Sequence, residues 1–156
     1  MDSDQASALR ALLETQEIAA LGTLQQGEPF VSMVPYALLS RGRGFVIHVS
    51  RLAQHTKDML ASPAVSLLVI ALPNPEVTAQ ARARVTIQGE ARQCASDDPG
   101  HAEARHAYLS RFPQSEQMFG FADFSLFIIV PRTVRFIGGF AQARSITAET
   151  LSGIMA

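Results

Sequence analysis

At 156 residues the chain has the size of one domain able to bury a substantial core without metal or disulfide staples. Thirteen Lys and Arg against fourteen Asp and Glu give a net charge of -1, which excludes the broad basic field that gathers nucleic acid or anionic lipid, so any anion site is local. A single cysteine, Cys94, excludes an internal disulfide, and neither CxxC nor HExxH spacing occurs, so no metal-ligating motif is present.

The N-terminus MDSDQASALRALLETQ is acidic and amphipathic where a signal peptide is basic and then apolar, and no apolar run approaches a span of about 20 residues. The expectation is a cytoplasmic protein without a membrane segment. Ala6, Leu9 and Leu13 recur at helical spacing behind Ser3 as a possible cap, which predicts a helix over 3–16. The period then shortens. EIAALGTLQ (17–25), PFVSMVPYALLS (29–40) and GFVIHVS (44–50) read as strands, separated by the hairpin-like turns QGE and RGRG.

A short helix over 53–62 stops at Pro63, and AVSLLVIAL (64–72) is a buried strand. ARARVTIQGEARQC (81–94) alternates as a long strand with Gly89 at a bulge. SDDPGHAEARHAYLSRF then starts a helix near Pro99, and DFSLFIIVPRTVRFIGGF supplies two last strands. The fold class predicted is mainly β, a six- to seven-stranded antiparallel barrel with peripheral helices in one domain, 1–156. The apolar runs 64–72 and 123–130 exceed what one barrel face requires, which predicts a homodimer.

Chemistry concentrates in FVIHVSRLAQHTKDMLASP. Ser50, Arg51, His55, Thr56 and Lys57 crowd the first turn of the 53–62 helix, whose free N–H groups and dipole favour an anion. The plainer reading has Ser50 capping the helix while Arg51 and Lys57 are solvated. His101 and His106 stand five apart, a poor metal spacing, and no metal site is expected. Cys94, Tyr36 and Phe45 read as packing residues.

In their order, VSMVPYAL, GFVIHVSRLAQHTKDMLASPAVSLLV, RVTIQGEA and RFIGGFAQAR resemble the pyridoxamine 5'-phosphate oxidase-like FMN-binding split barrels, nearest the haem-utilisation branch. The resemblance implies a dimer with FMN in grooves between subunits. Ser32, Met33, Val34 and Pro35 match the strand beside the flavin ring, His48 and Val49 the neighbouring strand end, and Ser50, Arg51, His55, Thr56 and Lys57 the phosphate segment. Arg84 either stabilises reduced flavin as a nearby cation or faces outward beside Arg82. Gly139 and Arg144 match a strand end at the flavin, and for Arg144 plain exposure is the alternative.

The segment RLHD of true pyridoxamine 5'-phosphate oxidases does not occur, so that activity is not expected. The expected function is an FMN-dependent oxidoreductase acting through flavin N5 on a small molecule, with no catalytic acid or base assigned. Two alternatives stand beside it: a non-catalytic flavin- or haem-binding protein, and a deazaflavin-dependent reductase.

Overall fold

A computed structural model describes residues 1–139 and 141–156. The first helix, α1 (Ser3–Thr15), is capped by Asp2 rather than Ser3. The Asp2 carboxylate accepts from Gln5 N at 2.8 Å and the Gln5 side chain accepts from Asp2 N, a reciprocal cap that satisfies two otherwise free donors. Leu9, Leu12 and Leu13 bury one face of α1 against the barrel, each fully buried leucine contributing about 1.5–3 kcal/mol.

Strand β1 (Ile18–Gln25) points Ala19, Leu21 and Thr23 inward. The tight turn at Gln26 and Gly27, both with positive φ, returns it to β2 (Glu28–Pro35) in register Gln25↔Glu28. The predicted strand 29–40 is interrupted at Tyr36, whose N–H donates to Glu17 O and whose hydroxyl donates to Leu13 O. It resumes as β3 (Ala37–Leu38), which pairs with β4 (Phe45–Ser50). This one run of chain therefore joins β1 at one end and β4 at the other, and the sheet closes on itself.

The rest of the sheet runs β1, β5 (Ala64–Ile70), β6 (Arg84–Cys94), β7 (Phe124–Ile137), β4, all antiparallel. Leu21, Ile47, Leu67, Ile87, Phe127, Ile129 and Phe136 fill the interior. Only Phe45 and Val46 of β4 pair with β3, so the far half of β4, from Ile47 to Ser50, has no strand partner on the β2 side and the barrel is split there. Helix α2 (Gln54–Ala61) packs on β1, β2 and β6. Its buried Asp58 accepts from Thr23 Oγ1 at 2.7 Å and Gln54 Nε2 at 2.8 Å, which anchors the helix on β1.

Three expectations are corrected. The two last strands are one, because Pro131, which has no N–H to give, stands where the β6–β7 register shifts: Gln88 faces Thr133 and Gly89 faces Pro131, leaving Arg132 as the extra residue. The shift lies at Gly89 as read, but the bulged strand is β7. Second, β8 (Ala143–Thr147) and α4 (Ala148–Ile154) were not foreseen, and Leu151 and Met155 carry the C-terminus into the core. Third, the apolar run 123–130 needs no second subunit. Helix α3 (His101–Arg111) covers the outer face of β3, β4 and β7 with Ala104 and Tyr108, burying Val46 and Leu126.

Candidate functional site

Alternation along β4 sends Phe45, Ile47 and Val49 into the barrel and His48 outward with Val46. His48 faces Leu126 of β7, and Leu126 faces Cys94 of β6, so the three form one row across the outer face. Beyond the end of α3 this row borders a cavity of about 610 Å³, within the range of cofactor pockets, to which Arg51, His101, Arg105 and Phe119 also contribute.

His48 is 9 % exposed and sits in an aromatic bed. Its ring lies flat on Phe119, with centroids 3.8 Å apart and planes 7° apart, while Phe124 and Tyr108 stand at 5.2 and 5.8 Å. The Arg105 guanidinium lies over the same Phe119 ring, 5.1 Å from its centroid. Neither ring nitrogen of His48 has a hydrogen-bond partner among the described residues. Ser125 Oγ is buried and likewise without a partner, but alternation along β7 turns it to the inner face with its strand partner Val49, away from Leu126 and His48. Burial, and next the charge of His101, lower the His48 pKa to about 4. Burial also raises the Cys94 thiol, with Asp98 adding to it.

These lowered imidazoles make stability pH-dependent. Burial lowers His55 too, opposed by Asp58. Unfolded histidine takes up a proton near pH 6.5, while folded His48 resists it down to about 4. The stabilisation is therefore present above pH 6.5 and lost as pH falls toward 4, by an amount on the order of 2 kcal/mol for His48. Urea unfolding from pH 7 to 4 is expected to show this decline, and His48→Leu is expected to flatten all but the His55 share. An equal decline in wild type and variant would remove His48 as its source.

The expected binding residues are dispersed. Ser50 Oγ donates to Asp123 at 2.8 Å and accepts from Leu52 N, so it caps a turn and not α2, whose N-cap is Ala53 without a side-chain bond. Arg51 donates to Ala122 O at 3.1 Å on the cavity edge. His55 Nδ1 meets Ser32 Oγ at 2.9 Å beside the split. Thr56 turns fully into the interior with its hydroxyl unpartnered, and Lys57 is exposed. Val34 and Val49 are core residues; Met33 is 57 % exposed and Pro35 half-buried.

Arg84 is half-buried, and its Nη1 donates to the carbonyls of Gln80 and Arg82, both at 3.0 Å. The Gly139 carbonyl accepts from Gln142 N, and Arg144 is exposed with its guanidinium on Ala143 O. Of the expected set, only His48 and Arg51 meet in the cavity. Arg105, Phe119 and Ser125 were missed. Phe119 lies on an irregular 3-10 segment (Pro113–Gly120) with no periodic signal, and only tertiary packing brings it to His48.

The sequence pattern of the pyridoxamine 5'-phosphate oxidase family matches residues 6–138. The chain is 36 % identical over 138 residues to the Arabidopsis thaliana protein named non-canonical heme oxygenase HOZ, chloroplastic, covering 86 % of this chain and 40 % of that one. It is 26 % identical over 127 residues to heme oxygenase HutZ of Vibrio cholerae, covering 81 % of this chain and 71 % of HutZ. A solved heme binding protein from Mycobacterium smegmatis superposes with TM-score 0.86 at 29 % identity, over 98 % of this chain and 62 % of that one. The chain thus spans about two fifths of the Arabidopsis relative's length.

These findings overturn the flavin expectation. The relatives carry haem in their names, and the donors expected to converge on an FMN phosphate diverge into a turn, the core and solvent. The reading of the protein as an FMN-dependent oxidoreductase falls with it. No helix among the described residues is long and apolar enough to cross a membrane. The closed, split antiparallel sheet and the match over most of the chain agree: the chain belongs to the pyridoxamine 5'-phosphate oxidase family.

Proposed function

We propose that this protein binds haem and takes part in its oxidative breakdown. The observation that carries the reading is the donor set of the 610 Å³ cavity: an uncharged imidazole on an aromatic bed and two guanidinium groups. Haem is a flat apolar ring with a metal that takes imidazole and two carboxylates that take arginine. Arg51 and Arg105 suit the carboxylates, with Glu116 the single acid on the wall; Phe124 suits the ring. Bound haem supplies the redox chemistry, drawing on dioxygen and an external reductant, while this chain positions it and limits water.

Titrating ferric haem into the full chain is expected to give a Soret band that saturates at one haem per chain. Absorbance that grows without saturation, as for free aggregated haem, would exclude the reading. Addition of ascorbate in air is expected to bleach the bound band; a stable band would leave a binding protein and remove the oxygenase part.

A homodimer belongs to the same reading. On the outer face of β1, β2 and β5, the exposed Ile18, Val31, Met33 and Ile70 surround the small Ala20, Gly22 and Ser66, an apolar surface with a flat centre that suits a two-fold copy. Light scattering is expected to return twice the chain mass, and Ala20→Arg to return the monomer. A wild-type monomer at micromolar concentration would contradict this. The free, buried Cys94 suits a reducing compartment such as the cytoplasm.

A further inference from the structure

We infer that residues 116–121 form a strap closing the cavity at the end of β4, latched by Phe119 between His48 and Arg105, and that release of this latch opens the cavity and uncovers His48. The strap belongs to the ligand-free chain and does not depend on the haem reading.

This stretch is held firmly at its ends and lightly between them. Pro113–Gly120 is a 3-10 helix of eight residues, well beyond the three or four at which such helices usually stop, because their hydrogen bonds are poorly aligned. At the near end Phe112 is buried in the cluster under α3, and Ser115 N donates to its carbonyl at 2.9 Å. At the far end Asp123 O accepts from Arg51 N at 2.7 Å, the Asp123 carboxylate accepts from Ser50 Oγ, and Ala122 O accepts from Arg51 Nη2 at 3.1 Å. Between them Glu116, Gln117, Gly120 and Phe121 are exposed, and Met118 and Phe119 are only half-buried. A segment with so little burial opens without the rest of the fold.

Phe119 is what holds the middle down. Its ring lies 3.8 Å from that of His48 with planes 7° apart, and the Arg105 guanidinium stands over it at 5.1 Å. His48 is on β4, paired along its whole length with β7, and Arg105 is on α3, so both jaws are rigid and the phenyl ring is the movable part. Dispersion and cation–π attraction hold a ring in place without any hydrogen bond that must be broken to free it.

What the strap covers follows from its position. Glu116, Phe119 and Gly120 line the cavity, so their stretch is one of its walls. Phe119 also covers one face of the His48 ring, which is 9 % exposed. When the phenyl ring leaves, the wall moves with it and that imidazole face is bared.

The test uses the full chain without added ligand, followed by hydrogen–deuterium exchange and by carbethoxylation with diethyl pyrocarbonate, both read by mass spectrometry. Amides of 116–121 are expected to exchange at least about tenfold faster than those of β4 and β7, and His48 to react at least about tenfold more slowly than the exposed His106. Phe119→Ala is expected to raise both the exchange of 116–121 and the reaction of His48 by about tenfold or more, with His106 and the amides of β4 and β7 unchanged. Phe119→Tyr, which keeps a flat ring in the stack, is expected to stay near wild type. Arg105→Gln removes the outer jaw from an exposed helix position, which keeps the test open if the alanine variant folds poorly, and is expected to raise both rates by about threefold. Exchange of 116–121 in step with β4 and β7, or wild-type His48 that reacts as fast as His106, overturns the strap. So does His48 reactivity that neither Phe119→Ala nor Arg105→Gln moves.

Discussion

Gly89→Ala is expected to cost about 3 kcal/mol of stability, seen as a lower urea midpoint. A Cβ there would fall within the van der Waals shell of the Val130 carbonyl and of Pro131 Cα, backbone atoms that cannot swing aside as a side chain can. The close approach is a product of the bulge, which brings β7 across β6 where Arg132 is left over. The shift also decides which β6 residues reach the cavity. With it, Gln93 and Cys94 stand opposite Phe127 and Leu126 and line the wall; a slip of one residue would reverse every side chain beyond it. Gly22→Ala is the comparison, since its Cβ would meet Ser66 O at an ordinary 3.6 Å. Equal midpoints for the two variants would show that the strand crossing is looser than this geometry.

The second large effect is expected at Arg111. Its guanidinium donates to the carbonyls of Leu13 at 3.4 Å, Glu14 at 3.0 Å and Gln16, the last groups of α1 that have no helical partner, and lies 4.8 Å from the centre of the Tyr36 ring. Arg111→Met keeps the stem and leaves the carbonyls of Glu14 and Gln16 bare, while that of Leu13 keeps the Tyr36 hydroxyl. With charged hydrogen bonds worth about 1.5–3 kcal/mol each and some carbonyls reached by water in the variant, the expected loss is about 3 kcal/mol. For a chain of this size that is a fall in melting temperature of about 6–12 °C. Arg111→Lys is expected to recover less than half, because one ammonium cannot span three carbonyls. Full recovery by lysine would reduce the role of Arg111 to charge alone. The cavity shares in the effect, since Arg111 pins the end of the helix that carries His101 and Arg105.

The strands were legible because alternation and turn chemistry are local. Ala19, Leu21 and Thr23 announce the inner face of β1, and Gln26–Gly27 announces the hairpin before any contact is known. The break at Tyr36 was not legible, because it depends on the Leu13 carbonyl that receives its hydroxyl. Helix α4 was missed for a related reason. Its few apolar positions acquire meaning only where Leu151 and Met155 meet the barrel and close on Gly42.

The site divides in the same way. Local sequence crowded Ser50, Arg51, His55, Thr56 and Lys57 into eight residues, and that nearness invited one shared anion. The fold separates them, because a strand end followed by a helix turns successive side chains toward different surroundings: Ser50 to Asp123, His55 to Ser32, Thr56 to the core. By itself, then, the sequence determined the antiparallel strands, the absence of a metal motif and the family, all of which rest on periodicity and ordered motifs along the chain. Only the tertiary structure decided the site. His48, Arg105, Phe119 and Ser125 come from a strand, a helix, an irregular segment and another strand as much as 77 positions apart, and their common cavity exists only because α3 and the segment after it pack across the outer face of β4 and β7.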